Sequence, residues 1–297
     1  MTLKIGFIGC VKSSESFLNI LIGMPEVEIC AVLTKKASKV NADFVDLKYI
    51  CEANSIPYQY ESINKREMSS KFLKNYSLDL IYCFGWSYLL DETILSIPNL
   101  GVIGFHPALL PRNRGRHPII WALALGLEET GSTFFKMDAF ADSGPIISQE
   151  KIKILADDNA SDLYKKIISK ASEQIKNFTI DFFNKEVKFL YQDKNKATYW
   201  RKRDQTDGLI DWRMSAQAIY NLVRSLSHPY TCAEFKVGNT YIKVPECLIE
   251  VDKYPEDIEP GFILSRDSDS LLVKVAGRDA VLLKNLEMNF KIEEDYL

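Results

Sequence analysis

The stretch GVIGFHPALLPRNRGRHPIIWALALG (residues 101–126) holds His106 and His117, two of the chain's three histidines, and three arginines within one short loop, Arg112, Arg114 and Arg116. His106 follows an apolar run of strand length and precedes a proline turn. An imidazole at the carboxyl end of a buried strand is placed for proton transfer near neutral pH; a structural or surface histidine is the alternative. Asp142, in ADSG, is a carboxylate that could orient such an imidazole, or a turn-capping aspartate. The three guanidiniums suit a diphosphate, which their planar forks grip well; otherwise they form a solvated basic loop with Arg114 structural. Gly104, two residues before His106, contributes no side chain at all.

The first 100 residues alternate in period. LKIGFIGCV reads as a strand, SESFLNILIGM as a helix with Ser13 or Ser14 as N-cap and Phe17, Ile20 and Leu21 on one face. EVEICAVLT, IPYQY and DLIYCFGW read as further strands, with helices over FVDLKYICEANSI and NKREMSSKFLKNYS between them. The near-continuous apolar run before Trp86 is that of a central parallel strand covered on both faces. This predicts a doubly wound, Rossmann-like α/β domain whose ligands sit at the carboxyl ends of the strands, in the loops after Trp86 and after residues 102–105. A long amphipathic helix, about residues 160–183, carries Leu163, Ile167, Ala171, Ile175, Phe178 and Phe182 at spacings of three and four. YQDKNKATYWRKRDQTDG is polar and turn-rich, the pattern of a linker. A helix over SAQAIYNLVRSL and strand-like pieces separated by Gly238-Asn239 and Pro260-Gly261 then predict a small, mostly β module of open-barrel type. The expected division is 1–187, a linker at 188–209, and 210–297.

The 297 residues are 46% apolar and 26% charged, with a formal net charge of −3. That balance gives no general reason to bind nucleic acid. No apolar run approaches the roughly 20 residues of a membrane span, and the N-terminus shows no signal peptide. Six scattered cysteines, without C-x-x-C and without a histidine at ligand spacing, argue for reduced thiols and no metal. Only Gly6 and Gly9 are present around the first strand, so the dinucleotide fingerprint is missing.

The order His106, Leu109-Leu110-Pro111, Arg114-Gly115, Pro118, Thr130-Gly131-Ser132-Thr133, Asp142-Ser143-Gly144 resembles the folate-dependent formyltransferase family. ATYWRKRDQTDGLIDW (197–212) and LVRSLSHPY (222–230) resemble its linker and C-terminal domain, so the likeness covers most of the chain. The resemblance implies N10-formyltetrahydrofolate as co-substrate, with His106 as base toward an attacking amine and Asp142 as its partner. It implies a folate pocket built from Phe84, Gly85, Trp86 and Leu90 on one side and Phe140, Ala141 and Asp142 on the other. The family pattern is Asn-x-His, and its asparagine, a donor to the formyl oxygen, falls on Gly104. Losing one such donor costs about 10²–10³ in rate. His117, Asn113, Ser132 or a backbone N–H are the substitutes to consider; the backbone freed of a side chain could also let the substrate or a water sit closer, and an inactive, merely ligand-binding relative is the third reading.

Which amine is accepted turns on charge. Residues 206–297 carry 10 Lys and Arg against 16 Asp and Glu, the wrong sign for a surface that must hold tRNA phosphates. The segment TKKASKVNADFVDLKYI lacks the Gly and Pro of the basic insertion typical of the tRNA enzymes. The sugar-nucleotide branch is therefore the expected one, with a nucleotide-linked 4-amino-4,6-dideoxy sugar as acceptor for surface glycan synthesis. Arg112, Arg116 and the helix start at Ser13 would serve its phosphates. Methionyl-tRNA formylation is the alternative. A cytoplasmic homodimer without membrane or metal completes the expectation.

Overall fold

The computed structural model describes residues 2–61, 66–287 and 295–297. The chain divides into two compact units: residues 1–115, 130–152 and 165–200, and residues 116–129, 153–164 and 201–297.

In the first unit the strands are β1 (Leu3–Ile8), β2 (Val27–Thr34), β3 (Tyr58–Tyr60), β4 (Leu80–Cys83) and β5 (Gly101–His106). The two-residue β6 (Arg114–Gly115) follows, and then β7 (Glu129–Lys136) and β8 (Ile146–Lys153). The main sheet has the order β3-β2-β1-β4-β5-β7-β8. Its first five strands pair in parallel and β5 meets β7 antiparallel. The order reverses between β1 and β4, which marks the crevice where open α/β sheets take ligands. Helices α1 (Lys12–Ile22), α2 (Lys48–Ala53), α3 (Arg66–Lys74) and α4 (Glu92–Leu95) follow successive strands. One sheet face buries Phe7, Tyr82, Phe84, Ile103 and Phe134 against α1 and against Ala171, Ile175 and Phe178 of α6 (Ala160–Asn184). The other face buries Ile8, Leu33, Ile81 and Val102.

Three local readings need correction. The N-cap of α1 is Val11 rather than Ser13 or Ser14, both buried in the first turn. Ser14 Oγ accepts from Val11 N–H and donates to the Phe84 carbonyl at 2.6 Å, so the hydroxyl ties the helix start to the loop after β4. The helix expected over 44–56 begins only at Lys48, because Phe44 bridges Val11 and the Val45 N–H goes to the Cys10 carbonyl. The expected linker is partly built into the first unit: β9 (Tyr199–Trp200) pairs with β6. Residues 64–65 of the third expected helix lie outside the described residues, as does Met288 of the last expected strand.

The second unit contains α5 (Pro118–Ala124) and α7 (Ala216–Ser225), the latter capped by Ser215 Oγ on the Ala218 N–H. Its strands are β10 (Ala233–Val237), β11 (Thr240–Val244), β12 (Glu246–Glu250), β13 (Ile263–Arg266), β14 (Leu271–Lys274) and β15 (Ala280–Lys284). They form an antiparallel hairpin, β10-β11, and an antiparallel sheet, β12-β15-β14-β13. Pro245, which has no N–H for a ladder, divides the run 240–251 into two strands. Ile219, Leu222, Phe235, Val273 and Leu283 share the core of this unit with Ile120 of α5. No helix among the described residues is long and apolar enough to cross a membrane.

Candidate functional site

β5 carries His106 to the carboxyl edge of the sheet, where it is 4% exposed. The ring is held from two sides. Nε2 lies 2.7 Å from the carbonyl oxygen of Asn113, which can only accept, so Nε2 carries the hydrogen. Nδ1 then faces Asp142 Oδ2 across 3.6 Å. The carboxylate is itself fixed, because Oδ2 accepts the Gly115 N–H at 2.8 Å. One ring nitrogen is thus locked as a donor, and the other faces the carboxylate.

The strip that supplies these partners is anchored by residues placed in the expected linker. Arg114 is buried and donates Nε and a terminal N–H to Gln192 Oε1, and another to the Tyr199 hydroxyl. Gln192 Nε2 donates in turn to the carbonyls of Asp142, at 2.9 Å, and Gly144. One glutamine thus links the guanidinium to the turn bearing Asp142. Thr198 accepts the Asn113 N–H through Oγ1, and its carbonyl accepts the Arg114 N–H. Gln192 and Thr198 were not singled out from the sequence. The only available hint was the polar YQDKNKATYW run ending in β-prone residues, a pattern shared with ordinary linkers.

Gly104 shares the face of His106, since alternate strand residues point the same way. A Cβ there would lie 2.9 Å from both Met137 Cγ and Phe135 Cζ. Apolar side chains have filled the room that a side chain at this position needs. Of the proposed substitutes, Ser132 is ruled out by geometry. His106 pairs directly with Thr133, so Ser132 points to the opposite face, where Gln174 of α6 donates to its carbonyl. His117 belongs to the second unit, in the left-handed region at φ 55° as the residue preceding α5. Its pKa is lowered by burial and then by the neighbouring Arg116. Asn113 remains beside the imidazole through its carbonyl.

The loop after β4 leaves the topological switch point. Gly85 takes φ 68°, a conformation open to glycine, and a Cβ there would collide with Val11 Cγ2. Phe84 corrects a sequence reading. Its ring is fully buried edge-on to Phe7, Phe17 and Phe134, so it offers a ligand no aromatic face. Trp86 and Leu90 line a small pocket with Leu33, Glu61, Tyr88 and Asp91. Lys35 is 8% exposed, and its ammonium lies 4.5 Å from the centre of the Trp86 ring and 4.3 Å from that of Tyr88, a cation–π clamp that steadies the loop. Asn41 adds a hydrogen bond to Ser87. Phe140, 76% exposed, and Ala141 stand on the surface beside Asp142.

Arg112 in the first unit and Arg116 in the second are exposed, and neither side chain makes a hydrogen bond or ion pair to another described residue. Ser13 is buried in the first turn of α1 and is poorly placed to meet a phosphate from solvent. No group of three or more His, Cys, Asp or Glu among the described residues could hold a metal ion.

The family model for formyl transferase matches residues 17–178, and that for the formyl transferase C-terminal domain matches residues 202–295. The methionyl-tRNA formyltransferase of Staphylococcus epidermidis is 32% identical over 290 residues, covering 96% of this chain and 91% of that protein. Among solved structures, a sugar 3N-formyltransferase crystallised in the presence of dTDP and 5-N-formyl-THF covers 98% of this chain and 100% of its own, with a TM-score of 0.71 at 15% identity. An N-formyltransferase from Helicobacter canadensis, in complex with folinic acid and dTDP-3-aminofucose, covers 95% and 99% with a TM-score of 0.73, also at 15% identity. At that identity the two structures speak for the fold alone.

Proposed function

The chain belongs to the formyl transferase family, and we propose that it moves a formyl group from N10-formyltetrahydrofolate to the amino group of a nucleotide-linked amino-dideoxy sugar. The observation that carries the transfer chemistry is the His106–Asp142 pair, with the imidazole locked by Asn113. The amine nitrogen forms a bond to the formyl carbon while losing a proton to Nδ1 of His106, directly or through water. The Asp142 carboxylate at 3.6 Å favours the imidazolium so formed. Breaking the bond to the folate N10 then returns a proton to that nitrogen and releases tetrahydrofolate. Trp86, Leu90 and Phe140, with backbone groups of residues 85 and 86, form the side toward the pterin, whose flat ring needs apolar faces and a few edge hydrogen bonds.

The acceptor class rests on charge. Residues 206–297 hold 16 acidic against 10 basic side chains, which disfavours a polyanion as long as tRNA and leaves a small nucleotide diphosphate, met by Arg112. A second reading, with methionyl-tRNA as acceptor, is favoured by the 32% identity to the Staphylococcus epidermidis protein across nearly the whole chain. The deciding experiment measures tetrahydrofolate release from N10-formyltetrahydrofolate with a panel of UDP- and dTDP-linked aminosugars and with methionyl-tRNA. Release dependent on one aminosugar is expected. Release dependent on the tRNA, falling steeply with salt, would replace the sugar reading with the second one.

A further inference from the structure

A formyl group under attack gathers negative charge on its oxygen, and position 104 offers nothing to receive it. Within the formyl-transfer reading, on which this inference rests, we propose that the side-chain amide of Asn113 is the oxyanion donor of this site and that Thr198 aims it.

Three observations carry the assignment. Asn113 adjoins the reacting imidazole, its own carbonyl oxygen being 2.7 Å from His106 Nε2. Its side-chain oxygen accepts from the Thr198 hydroxyl at 3.3 Å, while Thr198 Oγ1 accepts the Asn113 N–H at 2.8 Å. With the amide oxygen on Thr198, the NH₂ group is left without a partner among the described residues and can donate. Finally, three other polar groups near His106 are already engaged. Thr133 Oγ1 donates to the Ala108 carbonyl, Gln149 Nε2 donates to the Leu110 carbonyl and to Thr133, and the Gly115 N–H is held by Asp142. Asn113 sits at φ 61°, a backbone setting that asparagine tolerates better than other residues with a side chain. The donor lost from β5 is thus resupplied from the arginine loop.

The test compares Asn113→Asp and Asn113→Gly with the wild type, measuring tetrahydrofolate release, affinity for 5-formyltetrahydrofolate and the ring ¹⁵N shifts of His106. Both substitutions tolerate φ 61° and keep the backbone carbonyl that locks the imidazole, but neither retains the NH₂ donor. The expected result is a fall in kcat of at least about 10²-fold in both, with folate affinity changed by less than about threefold and the Nε2–H tautomer retained. Thr198→Val, which frees the amide to rotate, should give a smaller fall in kcat with the same folate affinity. A kcat within about threefold of wild type in Asn113→Gly, or a fall that accompanies loss of the Nε2–H tautomer, overturns the assignment. A wild type that transfers formyl to no amine while binding the folate overturns the parent reading itself, and this one with it.

Discussion

Gly104→Asn restores the side chain of the family pattern, and the structure predicts that the protein is worse for it. The new Cβ would sit 2.9 Å from Met137 Cγ and from Phe135 Cζ, and 3.2 Å from Met137 Sδ. These contacts are well inside the 3.5–4.0 Å at which carbon pairs attract. Overpacking of this kind costs about 1–3 kcal/mol. The amide enters a cluster of Leu110, Phe135, Ile146 and Met137, and burying it without partners adds about 1–3 kcal/mol. Against this, any side chain at a glycine restricts the unfolded chain and returns about 0.4–1 kcal/mol. The net for Gly104→Asn is then roughly 2–5 kcal/mol. At about 2–4 °C per kcal/mol for a chain of this size, the midpoint should fall by roughly 4–20 °C. Gly104→Ala, with the same Cβ but no amide, should lose at most about 2 kcal/mol. Thermal and urea unfolding of the two variants, each also made with Met137→Ala, would separate the contributions. Relief of at least half the loss by Met137→Ala is expected, because the thioether is the movable neighbour. Turnover of Gly104→Asn should not exceed wild type. A variant as stable as wild type and substantially faster would refute the reasoning, showing the space to be open and the site to lack a donor.

Two further outcomes follow from the same geometry. Asp142→Asn can still accept the Gly115 N–H yet removes the charge that favours the imidazolium, so kcat should fall by about 10²-fold or more with folate affinity kept, and His106→Ala should do the same; near-wild-type turnover in either would remove that residue from the proton transfer. His117 gives a pH signature. Burial, and after it the Arg116 charge, holds its folded pKa below the ordinary 6.5. The folded state then binds fewer protons than the unfolded chain as the pH drops below that value, so its contribution is complete above about pH 6.5 and is lost on acidification. Urea midpoints between about pH 7.5 and 5 should decline less steeply in His117→Asn, a replacement suited to φ 55°; identical slopes would contradict the shift.

The α/β architecture was legible because its signals are local and periodic. The run ending at Cys83 and the stripe from Leu163 to Phe182 report burial on both faces of a sheet and on one side of a helix, and both elements lie where the pattern puts them. His106 and Asp142 were legible from ordered motif residues, and they do approach each other. Side-chain direction was not legible. Phe84 looks like a pocket aromatic until the strand's alternation turns it into the core, and Ser132 looks like a donor until its cross-strand neighbour places it on the far face. The structural work of residues 190–200 was hidden for a different reason. Gln192, Thr198 and Tyr199 act through contacts made across some 50 to 85 positions of sequence, and no periodicity records a contact of that range.

The range of those contacts also bears on how the site tolerates Gly104. A donor on β5 is held by a strand paired on both edges and needs no help to keep its aim. A donor on Asn113 sits on a short loop whose conformation depends on β6 pairing with β9, on the Arg114–Gln192–Tyr199 hydrogen bonds and on the Thr198 hydroxyl. Moving the donor from strand to loop therefore makes catalysis depend on residues that never touch substrate. It also couples the donor to the base, because the same residue that offers its amide locks the imidazole through its carbonyl. A disturbance at Thr198 that leaves the Asn113 carbonyl in place would lower kcat through the amide alone, with the Nε2–H tautomer of His106 retained. A site with its donor on β5 would not feel that loss.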